Sequence, residues 1–147
     1  MGRGPGSPRG MSQLILLDNE AVQALRNPAH PKHRRVVSQA QVVVGRKRRA
    51  AAIDMAVPTA VRVEACWDRT SPAWAFPNRL RIADLPLGAI QANTAAAIRN
   101  QIGVSVADAH LGALIQSASA DKITVVTSDA GDIRMVAGDR HITVVPL

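Results

Sequence analysis

Four carboxylates stand where they could do chemistry: Asp18, Glu64, Asp108 and Asp129. Asp18 ends the apolar run Leu14-Ile15-Leu16-Leu17, and Asp129 stands just beyond Ile123-Thr124-Val125-Val126. Both runs suit buried strands, and in open α/β sheets ligands gather beyond the carboxyl ends of the strands. Asp108 follows Ser105 into the first turn of a helix. Glu64 sits in mid-helix with Ala60, Val61 and Trp67 on its own face, a surface expected to be mostly buried. A lone carboxylate there is costly unless it is paired or coordinates a cation. Asp68, four residues on, adds repulsion rather than relief. Asp132 is a further candidate, because it shares one short loop with Asp129.

Oxygen ligands without cysteine suit a hard cation, Mg²⁺ or Mn²⁺. Zinc fits poorly. His30 and His33 straddle Pro31 and belong with the basic surface, while His110 lies two residues from Asp108 and faces another way on a helix. Each acid also has a plainer role. Asp18 can cap the helix after it, Ser105 with Asp108 and Asp129 with Asp132 look like capping boxes, and Glu64 can pair with Arg62 or Arg99. Together, three of the chain's eleven acids at element ends and one on an apolar face favour a site.

The elements that must position these acids follow from periodicity. After the strand at 14–17, Ala21, Val22 and Leu25 recur at helical spacing until Asn27-Pro28. A second helix is expected from near Pro31, turning Val36, Val37 and Val43 inward. Gly45-Arg46-Lys47-Arg48-Arg49 then closes it as a basic loop or frayed end. Residues 55–57 form a strand, and Pro58 suits the first turn of a helix running to about Asp68. Residues 71–78 are a turn or short helix, and 80–82 a third strand. Leu87, Ile90, Ala97, Ile98 and Ile102 mark a longer helix stopped by Gly103. Val106, Leu111, Leu114, Ile115 and Ala118 mark the next. Residues 123–126 form the clearest buried strand, a short helix follows Asp132, and 142–145 close the chain. Strands alternating with helices indicate an α/β domain with a mainly parallel sheet.

The chain has 147 residues, 47% of them hydrophobic, enough for one domain with a real core. Residues 1–10 have no apolar stretch and read as a disordered tail, a cloning remnant or an over-long start, with residues 11–147 the single domain. No apolar run is long enough to cross a bilayer. The lone cysteine, Cys66, is expected to be a small core residue, and a cytoplasmic setting is the default. The net charge is +7, and no acid occurs between Ala21 and Ile53. That stretch holds Arg26, Lys32, Arg34, Arg35, Arg46, Lys47, Arg48 and Arg49. Such a face attracts phosphate backbones, although a solvated helix face would look the same. With no Tyr, one Phe and two Trp, the chain offers little aromatic surface for recognition by a string of stacked bases.

At its carboxylates the sequence resembles the PIN-domain ribonucleases, most closely the VapC-type toxins of bacterial toxin–antitoxin pairs. The resemblance runs from Leu14 to Leu147. It rests on Leu16-Leu17-Asp18-Asn19, the isolated Glu64, Val104-Ser105-Val106-Ala107-Asp108-Ala109 and Val126-Thr127-Ser128-Asp129, in that order and spacing. It implies a three-layer α/β/α sandwich and metal-dependent endonucleolytic cleavage of RNA. It also implies that Asp18, Glu64, Asp108 and Asp129 bind the metal, that a small antitoxin covers the site, and that the chain can form a homodimer. The chain departs from the family in carrying Glu20 where a small hydroxyl residue is usual. That substitution alters the hydrogen bonding near Asp129 or adds a carboxylate. Arg46, Lys47, Arg48 and Arg49 are the expected phosphate contacts, in a basic stretch longer than usual.

The main rival is a non-catalytic basic module that holds nucleic acid or protein. It explains the charge and leaves the converging acids unexplained. A phosphoacceptor receiver domain needs an acidic pair after the first strand and a lysine after the last, and an aspartate-nucleophile hydrolase needs Asp-x-Asp. Asp18-Asn19-Glu20 and the ending Pro146-Leu147 supply neither.

Overall fold

Alternation decides which way each strand faces. The computed structural model describes residues 12–48 and 53–147. Ile15 and Leu17 of β1 (Gln13–Leu17) turn to one side of the sheet, with Ile53, Met55 and Val57 of β2 (Ile53–Pro58). Leu16 and Ala56 turn to the other, with Ile123 and Val125 of β4 (Lys122–Thr127). Strands buried on both faces read as continuous apolar runs, as these do. The edges of the sheet are β3 (Ile82–Leu85) and β5 (Thr143–Pro146). All pairings are parallel, in the order β3-β2-β1-β4-β5.

Helices cover both faces and make the fold a three-layer α/β/α sandwich. On the first face lie α1 (Asn19–Arg26), α2 (His33–Arg48) and α3 (Thr59–Ala65), through Val22, Leu25, Val36, Val43 and Val61. A 3-10 turn at Pro72–Trp74 and α4 (Ala75–Arg79) lead into β3. On the second face, α6 (Val106–Ser117) and α7 (Ala130–Val136) bury Leu111, Ile115 and Ile133, and α5 (Ala89–Ile102) packs on α6. Among the described residues no helix is long and apolar enough to cross a membrane.

Several boundaries differ from the sequence expectation; α7, for one, already starts at Ala130, so Asp132 lies in its first turn and not in a loop with Asp129. Helix α2 continues through Gly45 to Arg48 instead of fraying into a loop; one interior glycine costs a helix only about 1 kcal/mol. Pro58 ends β2 and caps α3 from outside rather than opening it. Helix α3 stops at Ala65, short of Asp68, because Cys66 takes a left-handed turn (φ 60°) and its N–H donates back to Arg62 and Val63. This turn frees Trp67 to leave the helix and stack on Trp74, ring centres 5.5 Å apart, both buried. Cys66 is consequently exposed, not a core residue. Strand β3 starts at Ile82, not Leu80, because the Leu80 N–H is used on Pro77 to close α4.

The order of the sheet positions the site. From β1 the chain moves outward through β2 and β3, then returns to place β4 and β5 on the other side of β1. The switch falls between β1 and β4, where parallel α/β sheets open a crevice at their carboxyl ends.

Candidate metal centre at the sheet switch point

Asp18 is the first residue beyond β1, and its N–H donates to the Val126 carbonyl of β4 at 3.3 Å. Its Oδ1 accepts the Ala21 N–H at 2.9 Å and so caps α1. The capping role and a place in the crevice are therefore compatible. Asp18 is only 7% exposed. Burial pushes its pKa up, and Glu20 adds to this, although hydrogen bonds from the Thr127 hydroxyl and the Ala21 and Ser128 amides favour the charged form.

Thr127, the last residue of β4, serves two acids at once. Its hydroxyl engages Asp18, while its Oγ1 accepts the Asp129 N–H at 2.9 Å. Sequence reasoning passed over it. The usable clue was a small hydroxyl residue at a strand end, two positions before an acid. Thr127 supplies the hydrogen bonding near Asp129 that Glu20 cannot. Glu20 itself turns to His30, whose Nε2 lies 3.1 Å away, so its carboxylate has a hydrogen-bond partner of its own. His33 bonds the Ala24 carbonyl at 2.7 Å, and neither histidine joins the acids.

Asp129 is exposed and caps α7, accepting the Asp132 N–H at 3.1 Å. Asp108 is half-buried at the start of α6, where Ser105 Oγ accepts its N–H at 3.1 Å and the Ser105 hydroxyl favours its charged form. Burial pushes the Asp108 pKa up, followed by the charges of Asp18 and Asp129. Glu64 is exposed, which corrects the buried face expected for it: Val63 and Glu64 both turn outward, while Val61 and Ala65 carry the packing. Its pKa is still raised, by desolvation and then by Asp108 and Asp18. Asp132 is raised by its hydrogen bond to Asp129, then by the charges of Asp129 and Asp108. Asp68 stands apart, its carboxyl held low by Thr70.

Carboxylates from β1, α3, α6 and the β4–α7 loop thus act on one another at the carboxyl edge. Among the described residues no cation pairs with Asp18, Glu64, Asp108 or Asp129. Arg62, one suggested partner of Glu64, is committed to Asp84 at 2.9 Å, and Arg99 Nε donates to the Val104 carbonyl. An all-oxygen set with uncompensated charge is the donor chemistry of a hard divalent cation. Among the described residues, however, no three such side chains stand close enough to close round one ion in this arrangement. The side chains of Arg46, Lys47 and Arg48, and all of Arg49, lie outside the described residues.

Two further features border the acids. An open groove of about 470 Å³ lies beside Glu64, walled by Val63, Leu87 and Val106, each of them exposed. Below it, His110 of α6 is fully buried, its Nδ1 accepting the Ala60 N–H of α3 at 3.3 Å. Burial pushes the His110 pKa down, countered in part by the Pro86 carbonyl.

No family model matches this sequence, and no curated protein matches it. Solved structures do match in fold. A chain of VapBC2 from Rickettsia felis, bound to a DNA fragment from their promoter, superposes with a TM-score of 0.56 at 13% identity. The match covers 89% of this chain and 98% of that one. A chain of FitAB bound to an IR36 DNA fragment gives 0.54 at 19% identity, covering 90% and 94%. At these identities the likeness is one of fold.

Proposed function

We propose that this chain is a divalent-metal-dependent endoribonuclease of the PIN type and the toxin component of a toxin–antitoxin pair. The observation that carries the reading is the set of acids at the switch point, with buried Asp18 and half-buried Asp108 both held above the usual pKa without a cation beside them. Crowded carboxylates oppose one another until a cation neutralises them. Asp18, Glu64, Asp108 and Asp129 would hold Mg²⁺ or Mn²⁺, which would activate a water and offset charge on the scissile phosphate.

The protein's own part is to hold the oxygens in place. Asp18, capped into α1 and bonded by Thr127, is the fixed ligand of the set. Asp108 and Asp129 are held by the first turns of α6 and α7, and Glu64 comes from α3 on the solvent side. Arg46, Lys47, Arg48 and Arg49 take phosphates along the RNA, which positions the strand without specifying its sequence.

The fold shared with chains of the VapBC2 and FitAB complexes supports an antitoxin partner. So does the apolar groove beside Glu64, which suits an amphipathic segment that presents a cation to the acids. A homodimer and a cytoplasmic setting belong to the same reading. The test is incubation of the purified chain with structured and unstructured RNAs in Mn²⁺, Mg²⁺ or chelator. Cleavage that requires metal is expected; no cleavage under any condition contradicts the reading. One observation favours a second reading, a non-catalytic binding module: the acids do not close round an ion as they stand. That module would bind RNA with the same affinity in Mn²⁺ and in chelator and would leave it intact.

A further inference from the structure

Helix α3 begins without a cap of its own. The residue before it is Pro58, which has no side-chain hydrogen bond to offer the first turn. The first amides of a helix have no intrahelical acceptor, and leaving them unpaired in a buried setting is costly. The Ala60 N–H finds its acceptor on another element: Nδ1 of His110, from the second turn of α6. A nitrogen that accepts an N–H carries no proton, so the ring's hydrogen must sit on Nε2. Nε2 is buried with no hydrogen-bond partner of good geometry, and the acceptor that the ring feels is the carbonyl of Pro86, between β3 and α5.

From this geometry we infer that His110 is a positioning residue, the cap of α3 supplied by α6, which fixes the helix bearing Glu64 against the helix bearing Asp108. The ring can make this bond in one tautomer only. Glu64 lies one turn along from Ala60 on α3, and Asp108 lies two residues before His110 on α6. A shift of α3 at its capped end therefore changes the separation of these two acids. His110 touches neither substrate nor metal in this account, and it acts through the placement of Glu64. The cap itself is independent of the nuclease reading, while its consequence for catalysis rests on that reading.

The test uses the full chain with two substitutions, His110→Asn and His110→Leu, and three measurements. Asn places an oxygen acceptor where Nδ1 stands, whereas Leu fills the space without one. The ¹⁵N spectrum of the labelled wild type should show His110 as the Nε2–H tautomer. Amide exchange at Ala60 should stay slow in His110→Asn and become about tenfold faster in His110→Leu, the worth of one lost hydrogen bond. Metal-dependent RNA cleavage should be retained within about threefold in the Asn variant and fall at least about tenfold in the Leu variant. An Nδ1–H tautomer overturns the inference. So does unchanged exchange at Ala60 in His110→Leu, or an Asn variant as impaired as the Leu variant. If His110→Leu does not fold, the tautomer and the Asn variant still decide the matter. A wild type that cleaves no RNA counts against the nuclease reading, and the tautomer and the exchange at Ala60 still judge the cap.

Discussion

Thr127 Oγ1 sits between two acids, accepting the Asp129 N–H on one side and favouring the charged form of Asp18 on the other. The site therefore depends on a hydroxyl that binds no metal itself. Thr127→Val keeps the shape, leaves the Asp129 amide unpaired and removes one bond that favours charged Asp18. Outer partners of this kind are worth about 10–100-fold in metal affinity or activity. Thr127→Val is expected to lose at least about tenfold in Mn²⁺-dependent cleavage, and Thr127→Ser to recover most of it. Equal activity in the Val variant would reduce Thr127 to a strand-end residue. Glu64 teaches a different lesson at this scale. Its helical face looked buried because Trp67 fell within one turn of it, but the chain leaves the helix at Cys66 and takes Trp67 elsewhere. A left-handed turn at a non-glycine residue has no marker in the sequence, so the exposure of Glu64 was not legible there.

The helices and strands that carry the acids were legible where period and composition agreed. The runs at 14–17 and 123–126 gave β1 and β4, and Gly103 (φ 74°) closes α5 as its position suggests. The boundaries of α2, α3 and β3 were not, because tertiary packing set them. Gly112 in α6 shows how close that packing is. A Cβ there would stand 2.7 Å from the Val136 carbonyl oxygen and from Val136 Cβ in α7. Gly112→Ala gains helix propensity but forces α7 away, and overpacking of this kind costs about 1–3 kcal/mol. Its melting temperature is expected to fall by several degrees, with cleavage reduced because α7 carries the Asp129 cap. A variant as stable as the wild type would contradict the tight α6–α7 contact. Changing Arg46, Lys47, Arg48 and Arg49 together to Ala should weaken RNA binding and flatten its salt dependence. Unchanged affinity across a salt series would return this segment to a solvated face.

Across the whole molecule, the switch between β1 and β4 concentrates negative charge on a chain of net charge +7. Asp18, Glu64, Asp108 and Asp132 all have raised pKa values. The folded state therefore holds protons that the unfolded chain releases, and these acids cost stability as pH rises from the usual carboxylate range through the raised values. His110, depressed by burial, acts in the opposite sense, losing stability as pH falls through its unfolded value. The difference between wild type and Asp18→Asn isolates the acid. In chelator, the melting temperature of Asp18→Asn should exceed that of the wild type by more at neutral pH than at or just below the usual carboxylate range, where Asp18 is protonated in both states. A constant difference would show that Asp18 titrates alike in both states. The central claim, that these carboxylates hold a cation for RNA cleavage, is tested most directly by one paired measurement on Asp18→Asn. Asn still caps α1 but lacks the charge that a hard cation requires. RNA cleavage in Mn²⁺ and the rise in melting temperature on adding Mn²⁺ are compared in both proteins. The wild type should show both and the variant neither, with its fold intact in chelator; a folded variant that cleaves RNA as fast as the wild type contradicts the claim.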